Sequence, residues 1–543
     1  MTTSSRMPVE LPLAADRGRA LPLAGQISAQ LRAALADGRL ASGERLPSSR
    51  ALAAALGVSR TVVTTVYMQL FAEGWLEGRH GSGTYVAEGA PGRPTAGSPG
   101  RAVPPLVAEP LVAEPLAPEP LVPEPLVPEP LAPEPVACQP VTAQPVSPQL
   151  LNSQLGTARP VPANGPASGP PRANLRPGIP WRTGIDPVAW RRAWRRAGSQ
   201  PVSEWPNPYG LPGLRHAVTA YLRRGRGLRC AADQVLITRG VSAALGLITL
   251  GLLRPGDRVG VEEPGYQAAR LVFAAHGVHV VPCRVDHAGL VVDELPSGLR
   301  LVYTTPAHQY PLGGRLPVPR RQALVAWARA TGAVILEDDY DGEFRYDVAP
   351  LPTLFGLDPE VVIYLGTTSK ALTPALGLGW LVARPGLTRR LAETGAALGM
   401  RVPEPAQHAV TDLLASGYLE RHVRRMRHEY ARRRAAMAGI LGPATGRAAT
   451  TARLTGDTAG MHMILELPSG VADEVAAAAR SRGVDVVTLA GYFTGAASTY
   501  GLVLGYGAAD LAMVRRGCGI IAGILAGLPG RDRLAGDAAT PPG

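Results

Sequence analysis

The chain almost lacks lysine: among 55 Lys and Arg residues in 543, Lys370 is the single lysine. Cysteine is scarce as well. Cys138, Cys230, Cys283 and Cys518 lie far apart and form no CxxC pair, which argues against a zinc ribbon or a disulfide framework and suits a reducing cytosol. Aromatic residues make up only 5% of the chain. No apolar run reaches the ~18 residues that a membrane span needs. The first twenty residues carry Arg6, Glu10, Asp16, Arg17 and Arg19 and hold no apolar leader core. A cytoplasmic protein with no membrane partner is the expectation.

Other features are abundant. At 543 residues and 46% hydrophobic content, the chain is long enough for two or more domains with a sizeable core. Its formal net charge of +12 is compatible with a polyanionic partner. The chain divides into three zones, with 1–19 and 529–543 left as disordered ends.

Residues 20–87 read as helices followed by a hairpin. Ile27, Leu31, Ala34 and Leu35 have the spacing of an amphipathic helix. Ser48 and Ser49 cap a short second helix, Gly57-Val58-Ser59 makes a tight turn, and Ser59 caps a longer third helix through Leu70. Trp75-Leu76 and Thr84-Tyr85-Val86 flank a Gly81-Ser82-Gly83 turn, predicting a β-hairpin. Such an arrangement is the shape of a winged helix-turn-helix, whose second helix enters the major groove of double-stranded DNA. Ser59, Arg60 and Thr61 stand at that helix's start, where a guanidinium can fork onto guanine.

Residues 88–174 lack the hydrophobic density of a packed domain. Leu-Val-Pro-Glu-Pro-like pentads repeat from Leu106 to Pro135, predicting a disordered or polyproline-like linker. At ~3.1 Å per residue, roughly 45 such residues extend ~140 Å. The segment reads equally as a semi-rigid spacer or as an expanded tether.

Residues 175–528 alternate short apolar runs with helix-length segments. The runs 235–238, 258–261, 278–281, 301–303, 333–336 and 361–364 predict buried strands of a largely parallel α/β sheet. Sites in such sheets form at the strands' carboxyl ends, and the polar clusters follow strands here. Lys370 ends the run Gly366-Thr367-Thr368-Ser369-Lys370. A lysine amine, unlike a guanidinium, forms imines, which is the chemistry pyridoxal 5′-phosphate (PLP) requires.

These motifs carry a resemblance. Leu46-Pro47-Ser48-Ser49-Arg50, Leu56-Gly57-Val58-Ser59-Arg60-Thr61 and Arg79-His80-Gly81-Ser82-Gly83-Thr84 resemble the GntR-family DNA-binding domain. That resemblance implies operator contacts at Ser49, Arg50, Ser59, Arg60, Thr61, His80 and Gly81. The large zone resembles fold-type I aminotransferases through Arg176-Pro177-Gly178-Ile179-Pro180, Glu263-Pro264-Gly265-Tyr266, Thr305 to Pro311, Glu337 to Asp341, and Gly366 to Lys370. Together the halves resemble the MocR subfamily of regulators. The fold class expected is α/β: a fold-type I domain with an N-terminal winged helix-turn-helix and a long Pro-rich linker.

The resemblance implies a PLP site in which Lys370 forms the imine. An acid, Asp338 or alternatively Asp339, faces the pyridine nitrogen. Tyr340 bonds the ring's 3′ oxygen with Tyr310 nearby, and Tyr266 stacks on the ring. Ser242 at a helix start, Thr367 and Ser369 offer donors to the phosphate, and Tyr209 reaches a neighbouring subunit's phosphate. Two departures stand out. Gly377 occupies the place of an expected phosphate-clamping arginine, which should weaken cofactor retention. No arginine follows Tyr266 closely to hold an amino-acid carboxylate, Arg270 being only a distant candidate. The leading expectation is a homodimeric regulator sensing PLP or a small amine. An aminotransferase with an accessory head, and a cofactor-free dimeric regulator, are the alternatives.

Overall fold

The computed structural model describes residues 21–36, 39–79, 83–87, 172–346, 351–447 and 452–528, with Leu13, Ala15, Asp16 and Gly18. The Pro-rich stretch up to residue 171, the tail 529–543 and most of 1–19 lie outside the described residues.

The head builds as its pattern dictates. Helix α1 (Leu23–Ala36) buries Ile27, Leu31, Ala34 and Leu35 against α3. Helix α2 (Ser49–Leu56) starts where the Ser48 hydroxyl accepts the Ala51 N–H at 3.1 Å, and ends at Gly57 with φ 61°. That left-handed turn suits glycine because it has no Cβ. Helix α3 (Arg60–Ala72) is capped by Ser59 and buries Val63, Val66, Tyr67 and Leu70. Strands β1 (Leu76–Arg79) and β2 (Gly83–Val86) close the antiparallel wing.

In the large domain the chain folds earlier than expected. Residues 172–174, read from sequence as linker, are ordered: β3 (Ala173–Asn174) pairs in parallel with β14 (Val484–Asp485). Burial of Ala173 and the Arg172–Asp485 ion pair at 2.6 Å hold it there. Two residues are too few for a periodic signal, so only the tertiary partner reveals the strand.

The main sheet has the order β4-β11-β10-β9-β8-β5-β6-β7. Its strands are β4 (Val235–Thr238), β5 (Arg258–Glu263), β6 (His279–Asp286), β7 (Gly289–Leu290), β8 (Leu299–Thr304), β9 (Val334–Asp338), β10 (Val362–Thr367) and β11 (Gly379–Val382). Strands β10, β9, β8, β5 and β6 run in parallel, as expected, while β11 pairs antiparallel with both β10 and β4. Strand β11 was not foreseen. Successive residues feed two separate cores: Ile335, Val362 and Tyr364 pack on one face, Leu336, Ile363 and Leu365 on the other. Both faces are covered, which explains why these strands are continuously apolar.

Helix α4 (Val241–Leu252) follows β4, α5 (Gln267–Ala275) follows β5, and α6 (Val318–Thr331) leads into β9. A second antiparallel sheet, unforeseen, has the order β12-β13-β16-β15, formed by β12 (Arg453–Thr455), β13 (His462–Glu466), β15 (Val487–Thr488) and β16 (Gly501–Gly505). Helix α7 (Tyr418–Arg447) packs along α8 (Leu511–Ala526) beside it. No helix among the described residues is long and apolar enough to cross a membrane.

The head touches the large domain at the start of α6. The Val318 N–H donates to the Glu73 carbonyl at 2.8 Å, Arg315 donates to the Ala72 carbonyl at 3.2 Å, and Val318 is buried in the head's own apolar cluster.

Candidate cofactor pocket and DNA-reading face

The carboxyl ends of β4, β8, β9 and β10 open onto one cavity of about 330 Å³. It gathers Lys370, Asp338, Tyr340, Tyr266, Tyr310, Ser242, Thr367 and Ser369, all singled out from sequence. Topology explains the convergence. Parallel strands deliver their last residues to one level, and the segments that follow turn inward there.

Lys370 donates to the Gly178 carbonyl at 2.7 Å. Burial pushes its ammonium down toward the neutral amine, while Asp341 and Asp338 pull the other way. The amine is the nucleophilic form, so this environment favours carbonyl capture.

Asp338 accepts a hydrogen bond from the Tyr303 hydroxyl through Oδ2, whereas Oδ1 is buried without a partner. Desolvation raises this carboxyl to about 7, against the lowering effect of the Tyr303 hydroxyl. Its neighbour Asp339 lines no part of the cavity. Arg226 holds it through Nε and Nη2, and Tyr364 donates to it at 2.7 Å. Between the two acids, Asp338 is the one facing the cavity.

The aromatic wall is layered. Tyr266 stacks on Tyr303 at 6.5 Å and meets Tyr310 edge-on at 6.1 Å; Tyr310 meets Tyr340 at 5.6 Å. The Tyr340 hydroxyl lies 3.0 Å from Nδ1 of His308, which also meets Asp341 at 2.9 Å. Beneath this wall, buried Glu262 accepts from the Thr304 and Thr305 hydroxyls, the Thr305 N–H and the Gln309 amide. Those bonds fix the loop after β8 that carries Thr305 and Tyr310.

Ser242 sits in the first turn of α4 with its side chain hydrogen-bonded to Tyr266, and the Thr367 and Ser369 hydroxyls are 2.9 Å apart. The register aligns Thr238, Gly379 and Thr367 across β4, β11 and β10. Gly377, just before β11, has φ 53°, and a Cβ built there would meet no atom within 4 Å.

Several residues fall elsewhere or were missed. Tyr209 is half-buried under the Arg215 guanidinium at 5.3 Å and does not line this cavity; its expected reach is into a neighbouring subunit. Arg270 pairs with Glu263 at 3.1 Å and donates to the Tyr492 carbonyl at 2.7 Å, and it does not line the cavity. Sequence reasoning missed Tyr303, Thr305 and Arg239 as lining residues. Tyr303 and Arg239 lie at or one residue beyond the ends of predicted strands, and that position was the available signal.

On the head, Arg50, Ser59, Arg60 and Thr61 are exposed at the starts of α2 and α3, and the Arg60 Nε lies 3.4 Å from the half-buried Ser49 hydroxyl. The wing-tip positions His80 and Gly81 lie outside the described residues.

The lining fits PLP. A buried amine, an unpaired buried carboxyl oxygen, a tyrosine wall and a helix start with hydroxyls match the cofactor's aldehyde, ring nitrogen, ring face and phosphate.

Comparison with known proteins gives the family. Residues 23–86 match the bacterial regulatory proteins of the gntR family, and residues 180–500 match aminotransferase class I and II. The pyridoxine biosynthesis regulator PdxR of Corynebacterium glutamicum is 34% identical over 93% of this chain and 96% of its own length. The probable rhizopine catabolism regulatory protein MocR of Rhizobium meliloti is 31% identical over 97% and 99%. Among solved structures, the α-aminoadipate aminotransferase LysN of Thermus thermophilus, complexed with a phosphopyridoxyl-leucine, superposes with TM-score 0.59 at 27% identity. That match covers 66% of this chain and 92% of LysN. Pyrococcus horikoshii kynurenine aminotransferase gives 0.60 at 26%, covering 66% and 91%.

Fold and site thus define a DNA-binding head joined to an aminotransferase-like domain. The chain belongs to the MocR subfamily of GntR-family transcription regulators. Its head class implies DNA binding, its large-domain family binds PLP, and aminotransferase-fold relatives are commonly dimeric.

Proposed function

We propose that this regulator holds PLP in the cavity and that PLP, alone or with an amine effector, sets how a homodimer engages operator DNA. In that reading Lys370 captures the aldehyde, Asp338 faces the ring nitrogen and Tyr340 bonds the 3′ oxygen beside Tyr310. Tyr266 stacks on the ring. Ser242, Thr367 and Ser369 bind the phosphate, with Tyr209 contributed from the second subunit. Bound PLP supplies an electrophilic carbon for primary amines and an electron-withdrawing ring. Operator contacts fall to Ser49, Arg50, Ser59, Arg60 and Thr61, with His80 and Gly81 from the wing.

One observation carries the coupling. The segment 305–318 lines the cavity at Thr305 and Tyr310, and at Arg315 and Val318 it holds the head. A ligand that favours one arrangement of this segment biases the head through continuous chain, which is what linkage requires. An enzymatic reading is less favoured, since Arg270 is committed to Glu263. Footprinting on the chain's own upstream DNA tests the proposal. PLP should shift operator affinity about 5- to 150-fold, and Lys370→Ala should abolish both the shift and the visible absorbance of lysine-bound cofactor. Equal operator affinity with and without PLP in the unsubstituted protein sinks the sensing reading.

A further inference from the structure

The phosphate end of the cavity needs a cation. A phosphate monoester carries about −1.5 to −2 charges near pH 7, and a helix start contributes only about half a positive charge. Ser242, Thr367 and Ser369 are neutral donors. Lys370 is bonded to the Gly178 carbonyl and, in this reading, is the amine that takes the aldehyde. Gly377 brings no side chain, and the space its Cβ would enter is open.

Among the described residues, one guanidinium lines the cavity, that of Arg239. It stands between the last residue of β4 and Gly240, at the start of α4. The backbone there lies close to the loop before β11, because a Cβ on Gly379 would come within 3.0 Å of the Gly240 Cα. Arg239 and Gly377 thus both line the cavity, from loops whose backbones approach each other at Gly240 and Gly379. Arg239 makes no hydrogen bond or ion pair among the described residues, unlike Arg226, Arg270 and Arg321, which are all committed. In the same lining, the unpaired, buried Asp338 Oδ1 independently marks the cavity as built for a polar ligand.

We propose that Arg239 is the phosphate-binding cation of this site, delivered from the loop after β4 in place of a side chain at position 377. The proposal rests on the cavity being a PLP site and adds that retention depends on this arginine. A guanidinium presents two parallel N–H donors to phosphate oxygens, and the free N–H groups of the first turn of α4 complete the cradle.

The test compares PLP with pyridoxal, which has the same ring and aldehyde but no phosphate, by absorbance titration of the full-length protein. Arg239→Ala should weaken PLP binding roughly 10- to 100-fold while pyridoxal affinity stays within about twofold. Arg239→Lys should fall between, since an ammonium keeps the charge but loses the fork. Inorganic phosphate should raise the melting temperature of the unsubstituted protein and not that of Arg239→Ala. Because Arg239 is exposed and unpartnered, the variant should melt normally without ligand. Equal losses for PLP and pyridoxal, or no loss for either, overturn the role of Arg239 while leaving the PLP site standing. If the unsubstituted protein binds neither compound, the PLP reading falls, and this proposal with it.

Discussion

Asp338 shows how position alone changes a residue's chemistry. Two consecutive acids differ in that Asp339 is satisfied by Arg226 and Tyr364, while Asp338 keeps one oxygen buried and unpaired. Burial raises Asp338 from its ordinary 3.8 to about 7, so between those values the folded chain holds a proton that the unfolded chain has released. The stability from this group is present below about pH 4 and is lost as pH rises toward 7. Glu337, also raised to about 7 by burial, adds a slope of the same sign. In cofactor-free protein, Asp338→Asn should flatten the fall in melting temperature between pH 4 and 7. A slope identical to the parent's would contradict the protonated, unpaired carboxyl. The acid pair was legible in sequence as a motif, but nothing in two adjacent aspartates says which one Arg226 claims.

At the scale of elements, the head follows its caps. Ser48 and Ser59 accept N–H groups at the starts of α2 and α3, and Gly57 takes the left-handed turn between them. The same local chemistry exposes Arg60 at the start of α3 without committing it to the core. Arg60→Ala should weaken operator binding by about 1–3 kcal/mol in a gel-shift titration, with thermal stability nearly unchanged. Affinity equal to the parent's would show that α3 is not the reading helix. Elsewhere, β11 escaped a reading from sequence because Gly379-Trp380-Leu381-Val382 is four residues long, opens on glycine and lacks alternation. Its antiparallel place between β4 and β10 is set by long-range pairing. That pairing also brings the loop before β11 close to Gly240, the residue after Arg239.

For the whole molecule, the decisive contact joins two domains that the sequence shows as separate zones. Val318 is the large domain's contribution to the head's apolar cluster, and Glu73 anchors its backbone N–H. Glu73 is itself held by Arg32, so the contact reaches α1. Val318→Asp would place a charge in that cluster at a cost no buried partner offsets. We expect the variant to keep its PLP absorbance and affinity, because the cavity is untouched, and to lose the PLP-dependent change in operator affinity. If that change persists at full size, coupling does not run through segment 305–318.

The sequence by itself determined what short-range chemistry encodes. The single lysine after a hydroxyl-rich strand end, the capped helices of the head and the apolar runs of the parallel strands each carry their signal within a few residues. Tertiary structure alone decided which polar residues share a cavity and which are spent on structure. It turned Asp338 inward and tied up Asp339 and Arg270, and it placed Arg239 in the lining of the same cavity as Gly377. It also ordered residues 172–174 against β14. Such choices depend on strand order and register, which bring residues more than a hundred positions apart into contact, and no local pattern records that proximity.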